Sequence, residues 1–281
     1  MKLLRIGRSN QEKPAIIDDS NIIRDLSSII EDLNPETINF NTIKKINNTN
    51  VKDLPEISKN ERIGPCVSNP QKFIGIGLNY ADHAEETGVK PPDEPIIFMK
   101  ANSCITGPND SILIPKKSTK TDWEIELGII IGEKASYISE NDSTKHIFGY
   151  CIVNDISERE FQMKRSGTWD KGKGCDTFGP IGPYVITKDE IDDVQNLNLE
   201  LKLNGRIMQK GNTNKMIFDV KYIVSYLSNF MTLNPGDIIT TGTPPGVGMG
   251  RNPEIYLKSG DEMTLRIDGL GHQKQKVVSN K

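Results

Sequence analysis

The sequence predicts an α+β protein that is mainly β. Leu197, Leu199, Leu201 and Leu203 alternate strictly and stop at Asn204-Gly205, a strong type I′ hairpin signal. Met263, Leu265 and Ile267 alternate in the same way before Asp268-Gly269. A single long helical stripe (Val220, Ile223, Val224, Leu227, Phe230, Met231) interrupts this text and is broken by Pro235-Gly236. Long strands in regular alternation with helices, as in a doubly wound sheet, are absent.

In chain order, residues 1 to about 65 read as a small N-terminal α/β domain. Pro14 to Ile23 gives two short strands around an Asp18-Asp19-Ser20-Asn21 turn. Leu26, Ile29, Ile30 and Leu33 follow at helical spacing, with Pro35 just after. The loose polar stretch from Asn47 to Gly64 leads into a second domain, residues 66–281. There Gln71 to Leu78, Ile96 to Lys100 and Phe148 to Val153 read as apolar strands, the last ending at Asn154-Asp155. Ser157-Glu158-Arg159-Glu160 fits a capping box with Ser157 as N-cap.

Bulk properties exclude several function classes. The chain has 281 residues, 26% charged and 35% hydrophobic, with a net charge of -3. No basic stripe points to nucleic acid, and no run of 18 apolar residues points to a membrane span. Met1-Lys2-Leu3-Leu4-Arg5 leads into no long apolar core, so the default location is cytoplasmic. Cys66, Cys104, Cys151 and Cys175 fit no CxxC pattern and read as buried thiols. His83, His146 and His272 form no HxxxH or HExxH motif, which argues against a transition-metal site built on imidazole.

The most informative stretch is Asp122-Trp123-Glu124-Ile125-Glu126-Leu127-Gly128, followed by three isoleucines. With a strand's period of two, Glu124 and Glu126 share a face at roughly 6–7 Å. Two carboxylates so placed repel by about 2–3 kcal/mol at an effective dielectric near 20. Either the pair lies on a solvated face, or a cation sits between the two groups. Asp155, at a strand-to-helix junction, is a candidate third ligand. Three carboxylates make an all-oxygen site suited to Mg²⁺ or Mn²⁺, and also to Ca²⁺. Arg159 and Gln162 share a helix face, where the arginine suits a substrate carboxylate. His83 and Glu86 share a face if their segment is helical, and an imidazole oriented by a carboxylate can activate water. The segment then runs into Gly88, Pro91, Pro92 and Pro95, as a mobile lid would. Lys173, between Gly172 and Gly174, is placed to stabilise an enolate. Thr240 to Gly250 lacks the ending of a phosphate loop, and Gly75-Ile76-Gly77 lacks a third glycine, so neither reads as a nucleotide site. A tight turn offering Thr243 and backbone N–H groups to an anion remains open.

Asn79-Tyr80-Ala81-Asp82-His83, Glu124 to Gly128, Asn154-Asp155, Lys173 and Thr241-Gly242-Thr243-Pro244 occur in the order seen in the fumarylacetoacetate hydrolase superfamily. The chain resembles that superfamily over roughly residues 70 to 270. The N-terminal unit, Thr119 to Trp123 and Gly167 to Lys173 are most similar to the hydrolases of 2,4-diketo-3-deoxy sugar acids (the rhamnonate and fuconate derivatives), a group often labelled ureidoglycolate lyase. The resemblance implies a mixed β-sandwich roll with peripheral helices, a small N-terminal domain and a homodimer. It implies Mg²⁺ on Glu124, Glu126 and Asp155, a water-activating His83–Glu86 pair on a lid, and enolate stabilisation by Lys173. Arg159, Gln162 and Thr243 would hold the substrate's carboxylate end, and Lys100 and Thr177 match looser substrate-binding positions. The expected reaction is hydrolysis of the C–C bond of a 2,4-diketo acid, either a 2,4-diketo-3-deoxy sugar acid or an acylpyruvate, to pyruvate and a second acid. Oxaloacetate decarboxylation, hydratase or isomerase chemistry, and non-catalytic binding of a small acid are the alternatives. Gly174 departs from the serine that many relatives carry.

Overall fold

The computed structural model describes residues 1–88 and 90–279, apart from the side chains of residues 83, 84 and 87. The chain opens with β1 (Lys2–Ile6), β2 (Lys13–Ile17), β3 (Ile23–Asp25), α1 (Phe40–Asn47) and β4 (Glu56–Ile57). Then come β5 (Phe73–Gly77), α2 (Ala81–Thr87), β6 (Ile96–Lys100), β7 (Ile105–Thr106), β8 (Ile112–Ile114), β9 (Thr121–Asp122) and β10 (Ile125–Ile131). The middle of the chain holds α3 (Glu140–His146), β11 (Ile147–Asn154), β12 (Ser157–Glu158), α4 (Arg159–Lys164), α5 (Asp170–Lys173) and β13 (Gly179–Thr187). It closes with β14 (Asn198–Leu203), β15 (Arg206–Asn212), α6 (Val220–Ser228), β16 (Ile238–Thr240), β17 (Glu262–Ile267) and β18 (Gly271–Ser279).

Two mixed sheets carry the architecture. The larger runs β4-β3-β2-β1-β13-β11-β10-β16-β5-β6, with β7 beside β13, and the smaller runs β15-β14-β17-β18-β8. A short β9–β12 ribbon stands apart. Most pairings are antiparallel, but β16 with β5, β13 with β7 and β18 with β8 are parallel. One core runs through both sheets, joining Ile125, Leu127 and Ile129 of β10 to Leu199, Leu201, Met263 and Leu265. Every residue of β10 and β11 is buried, so these central strands are apolar runs rather than clean alternations. Buried amides stitch the sheets together. Gln273 donates to the Ile152 carbonyl at 2.9 Å, and Asn154 donates to Gln275 at 3.1 Å.

The hairpin forms as the sequence predicts. Asn204 (φ 50°) and Gly205 (φ 78°) both adopt the left-handed region that a type I′ turn needs. The N-terminal strands extend the large sheet through the β1–β13 pairing, so the change near residue 65 is not a break in the sheet. Two local expectations are corrected. Leu26 to Leu33 makes a single turn, with the amides of Ile29 and Ile30 both on the Leu26 carbonyl, and the first full helix of the chain is α1. The apolar residues are buried as a helical face would be, but Asp32, Asn34 and Thr37 take up the local backbone groups with side chains that compete with helix hydrogen bonds. Ser157 is not an N-cap. It pairs with Asp122 in the ribbon, and Glu158 caps α4 by accepting from the Glu160 amide at 3.2 Å.

Candidate active site

The sheet order places the carboxylates. Ile125 lies opposite Asn154 in the β10–β11 ladder, and the Asp155 amide donates to the Glu124 carbonyl at 2.9 Å, so Glu124 and Asp155 emerge side by side at the strand ends. Glu126 follows on β10, where the Thr240 hydroxyl of β16 and the Gly242 amide donate to it at 2.5 and 2.8 Å. One oxygen from each of Glu124, Glu126 and Asp155 falls within 4.8 Å of the others, and all three residues are buried.

The solvated-face reading of the glutamates is thereby excluded, and burial makes their charge expensive unless it is matched. Lys173, brought in by α5, donates to Glu124 at 2.6 Å and to Asp155 at 2.5 Å. Arg159, at the start of α4, lies 2.7 Å from Glu124. Lys100 donates to the other Asp155 oxygen at 2.6 Å. Burial alone would raise the Glu124 carboxyl, but Lys173 and Arg159 pull it down to about 2. Burial would lower the Lys173 ammonium, yet Asp155 and Glu124 hold it above its usual range. Glu126 has no such compensation at its hydrogen-bonded oxygen, whose partners are neutral. Burial first, then Asp155 and Glu124, push its carboxyl well above the ordinary range. A buried oxygen cluster whose least compensated member favours a proton fits a hard divalent cation, which would take that proton's place.

Asp122 organises the surroundings, a role the sequence reading missed. One of its oxygens accepts from the Trp123 and Gly248 amides at 2.9 and 2.7 Å. The other accepts from the Met249 amide at 3.0 Å and from Arg159 Nε at 2.8 Å. Arg159 also donates to Gln162 at 3.1 Å. A signal was present, since Asp122, Glu124 and Glu126 are three acids at alternate positions. Gln209 was also missed, and no local motif marks it. It accepts from the Ile125 amide and donates to Thr243, tying the smaller sheet to the site.

A cavity of about 110 Å³ opens over the cluster. Glu124, Glu126, Asp155, Arg159, Gln162, Lys173, Gly242 and Thr243 contribute its polar wall. Several predicted residues stand differently from expectation. Lys100 is not part of the described lining; it lies behind Asp155 and also donates to the Lys173 carbonyl at 2.5 Å, as a support of the cluster. Thr177 is also outside the lining, and its hydroxyl accepts from the Leu113 amide at 2.9 Å. Thr243 reaches the cavity, but its hydroxyl donates to the Ile125 carbonyl and so positions β10. The glycine-rich segment around Lys173 forms a short helix, α5. The Thr240–Gly250 amides bind the protein's own carboxylates: Gly242 on Glu126, Gly248 and Met249 on Asp122, and Gly246 on both oxygens of Glu86 at 3.0 Å. His83 and Glu86 do lie on one helix, α2, but the His83 side chain falls outside the described residues. Cys66, Cys104 and Cys151 are buried thiols, and Cys175 is half-buried.

Comparison with known proteins then identifies the relatives of this arrangement. A family model described as fumarylacetoacetate (FAA) hydrolase C-terminal matches residues 72–278. The chain belongs to the fumarylacetoacetate hydrolase family. A curated Burkholderia orbicola protein, provisionally named a hydrolase, is 53% identical over 278 residues, covering 99% of each chain. Solved structures share the whole fold. The maleylpyruvate hydrolase of Sphingobium sp. SYK-6, in complex with manganese (II) and pyruvate, has a TM-score of 0.83 at 27% identity and full coverage of both chains. The 2-hydroxyhepta-2,4-diene-1,7-dioate isomerase of Mycobacterium marinum has a TM-score of 0.78 at 31% identity, covering 100% of this chain and 99% of its own. The chain is thus a member of a superfamily of hydrolases and isomerases, with the mainly β fold those structures share. No helix among the described residues is long and apolar enough to cross a membrane.

Proposed function

We propose that the chain is a divalent-metal-dependent hydrolase that cleaves the C3–C4 bond of a 2,4-diketo acid, releasing pyruvate and a second acid. The observation that carries this reading is the buried Glu124–Glu126–Asp155 cluster with Lys173 against two of its members. Its support from outside is the relative that holds manganese and pyruvate together. Mg²⁺ is the expected ion, with Mn²⁺ or Ca²⁺ as substitutes, held by the three carboxylates. When bound, the ion supplies Lewis acidity at the 2-keto oxygen.

The remaining steps fall to the chain's own groups. Gln162 and Arg159 orient the substrate's carboxylate end within the cavity. His83, assisted by Glu86, takes a proton from water as its oxygen attacks C4. The C3–C4 electron pair moves onto C3 and delocalises as the enolate of pyruvate. The Lys173 ammonium is the cation assigned to that developing charge, stabilising the transition state more than the ground state; its place against Glu124 and Asp155 supports this role. Proton return to C3 gives pyruvate, and the C4 fragment leaves as a carboxylic acid. Coupled pyruvate detection over a panel of diketo acids and oxaloacetate, with Mg²⁺ or with EDTA, tests the reading. Pyruvate from at least one diketo acid, abolished by EDTA, is expected. Release from none of them would sink the hydrolase, and release from oxaloacetate alone would make the protein a decarboxylase. A cytoplasmic homodimer completes the proposal, and sedimentation equilibrium at twice the monomer mass checks the assembly.

A further inference from the structure

The rest of the cavity lining is apolar. Ile76, Leu78, Phe98, Met163, Trp169 and Met249 form it. Two of these rings are seated by the Gly75-Ile76-Gly77 motif. A Cβ on Gly75 would overlap the Phe98 ring, and one on Gly77 would overlap the Trp169 indole. The rings lie 5.5 Å apart, centroid to centroid, and Phe98 also sits under the Lys173 ammonium at 4.9 Å. Leu78 holds a left-handed φ of 51°, a costly conformation for leucine of the kind that clusters at functional sites. The polar wall, by contrast, is largely committed. Arg159 is engaged by Asp122, Glu124 and Gln162, Lys173 by Glu124 and Asp155, and Thr243 by Ile125 and Gln209. The Gln162 amide and the Arg159 Nη2, which is ion-paired with Glu124 at 2.7 Å but makes no hydrogen bond, are taken by the substrate's carboxylate end in the reading above, so few polar groups remain for a tail. A chain of several hydroxyls would lose its water partners there and gain few in return.

We propose that the substrate's acyl tail is apolar, a short alkyl or alkenyl chain, and that the Phe98–Trp169 wall selects it over the polyol tail of a sugar acid. This rests on the 2,4-diketo acid reading of the same site. The wall excludes water from the tail and confers about fourfold in affinity per buried methylene.

Calorimetric titration of the full-length, Mg²⁺-loaded protein tests this with two six-carbon 2-keto acids that lack the C4 carbonyl and are not cleaved. These are 2-oxohexanoate and 2-keto-3-deoxygluconate, with pyruvate as the reference. The expected result is at least ~tenfold tighter binding of 2-oxohexanoate. Trp169→Ala should remove most of that preference and change pyruvate affinity less than about twofold, since pyruvate has no tail to bury. Gly77→Ala should reproduce the loss by displacing the indole, and the double variant should be no worse than Trp169→Ala alone. Equal or tighter binding of the polyol, with pyruvate still bound, would overturn the tail assignment and leave the hydrolase reading standing. So would a Trp169→Ala variant that weakens pyruvate and 2-oxohexanoate alike. Failure of pyruvate and both longer acids to bind would overturn the 2-keto acid reading and the tail assignment together.

Discussion

Asp122→Asn is the sharpest probe of how the site is held. The carboxylate is fully buried and accepts four hydrogen bonds, two at each oxygen. An asparagine keeps one oxygen and turns an NH₂ group toward two donors, whichever way it is flipped. Two of the four bonds are lost, and each hydrogen bond to a charged group contributes about 1.5–3 kcal/mol. The expected loss is therefore about 3–6 kcal/mol, a large share of a typical total of about 5–15 kcal/mol. Arg159 meanwhile keeps Glu124 but loses its second carboxylate while still buried. The loop carrying Gly248 and Met249 loses its anchor as well, so kcat/KM should fall even under conditions where the variant is folded. Urea unfolding of the metal-free proteins, followed by fluorescence, gives the first quantity, and coupled pyruvate release gives the second. A loss below about 1 kcal/mol with unchanged turnover would show that Asp122 is not the hub described.

Further outcomes follow from the same geometry. Lys100→Met should destabilise the protein by about 1.5–3 kcal/mol, the charged hydrogen bond it makes to an Asp155 that still keeps Lys173, while the substrate KM of the folded fraction stays within about twofold; a large KM change without instability would restore Lys100 as a substrate ligand. Glu126→Gln keeps an oxygen for Thr240 and Gly242 and should fold normally, yet its metal affinity should drop at least ~100-fold, beyond the usual effect of outer-shell changes; full metal content by elemental analysis would refute its role as a ligand. Glu126 also sets a pH dependence. Its carboxyl is raised in the folded protein, so between the ordinary value of 4.5 and that raised value the folded state binds more protons than the unfolded one. Metal-free stability from this group is present below that ordinary value and is lost as pH rises through the window. A cation replaces the proton, so the gain in Tm from Mg²⁺ should grow as pH rises above that ordinary value; a gain independent of pH would contradict this.

Much of the site was legible because strand chemistry is local. Glu124 and Glu126 stand out as paired carboxylates in apolar text, and Asp155 follows an apolar strand directly. The strong hairpin turn and the α6 stripe also report their own structure through backbone preference and periodicity. Leu26 to Leu33 misled for the opposite reason. Helical spacing marks which residues face the core, and nearby polar side chains decided the backbone. Lys100 misled because sequence places it in a strand and says nothing of which side of Asp155 it approaches.

The sequence by itself determined the mainly β class, the family and the set of ionisable groups from which a site is built. Only the tertiary structure decided how those charges are shared. Lys173 bridges Glu124 and Asp155, Lys100 backs Asp155, Asp122 holds Arg159, and Glu126 is left to neutral donors. The physical reason is range. Turn chemistry and strand alternation act over a few residues, whereas these pairings join groups up to 55 positions apart in the chain, and Glu126 meets Thr240 across 114. Their energies depend on burial, which no single segment possesses until the sheets close around it.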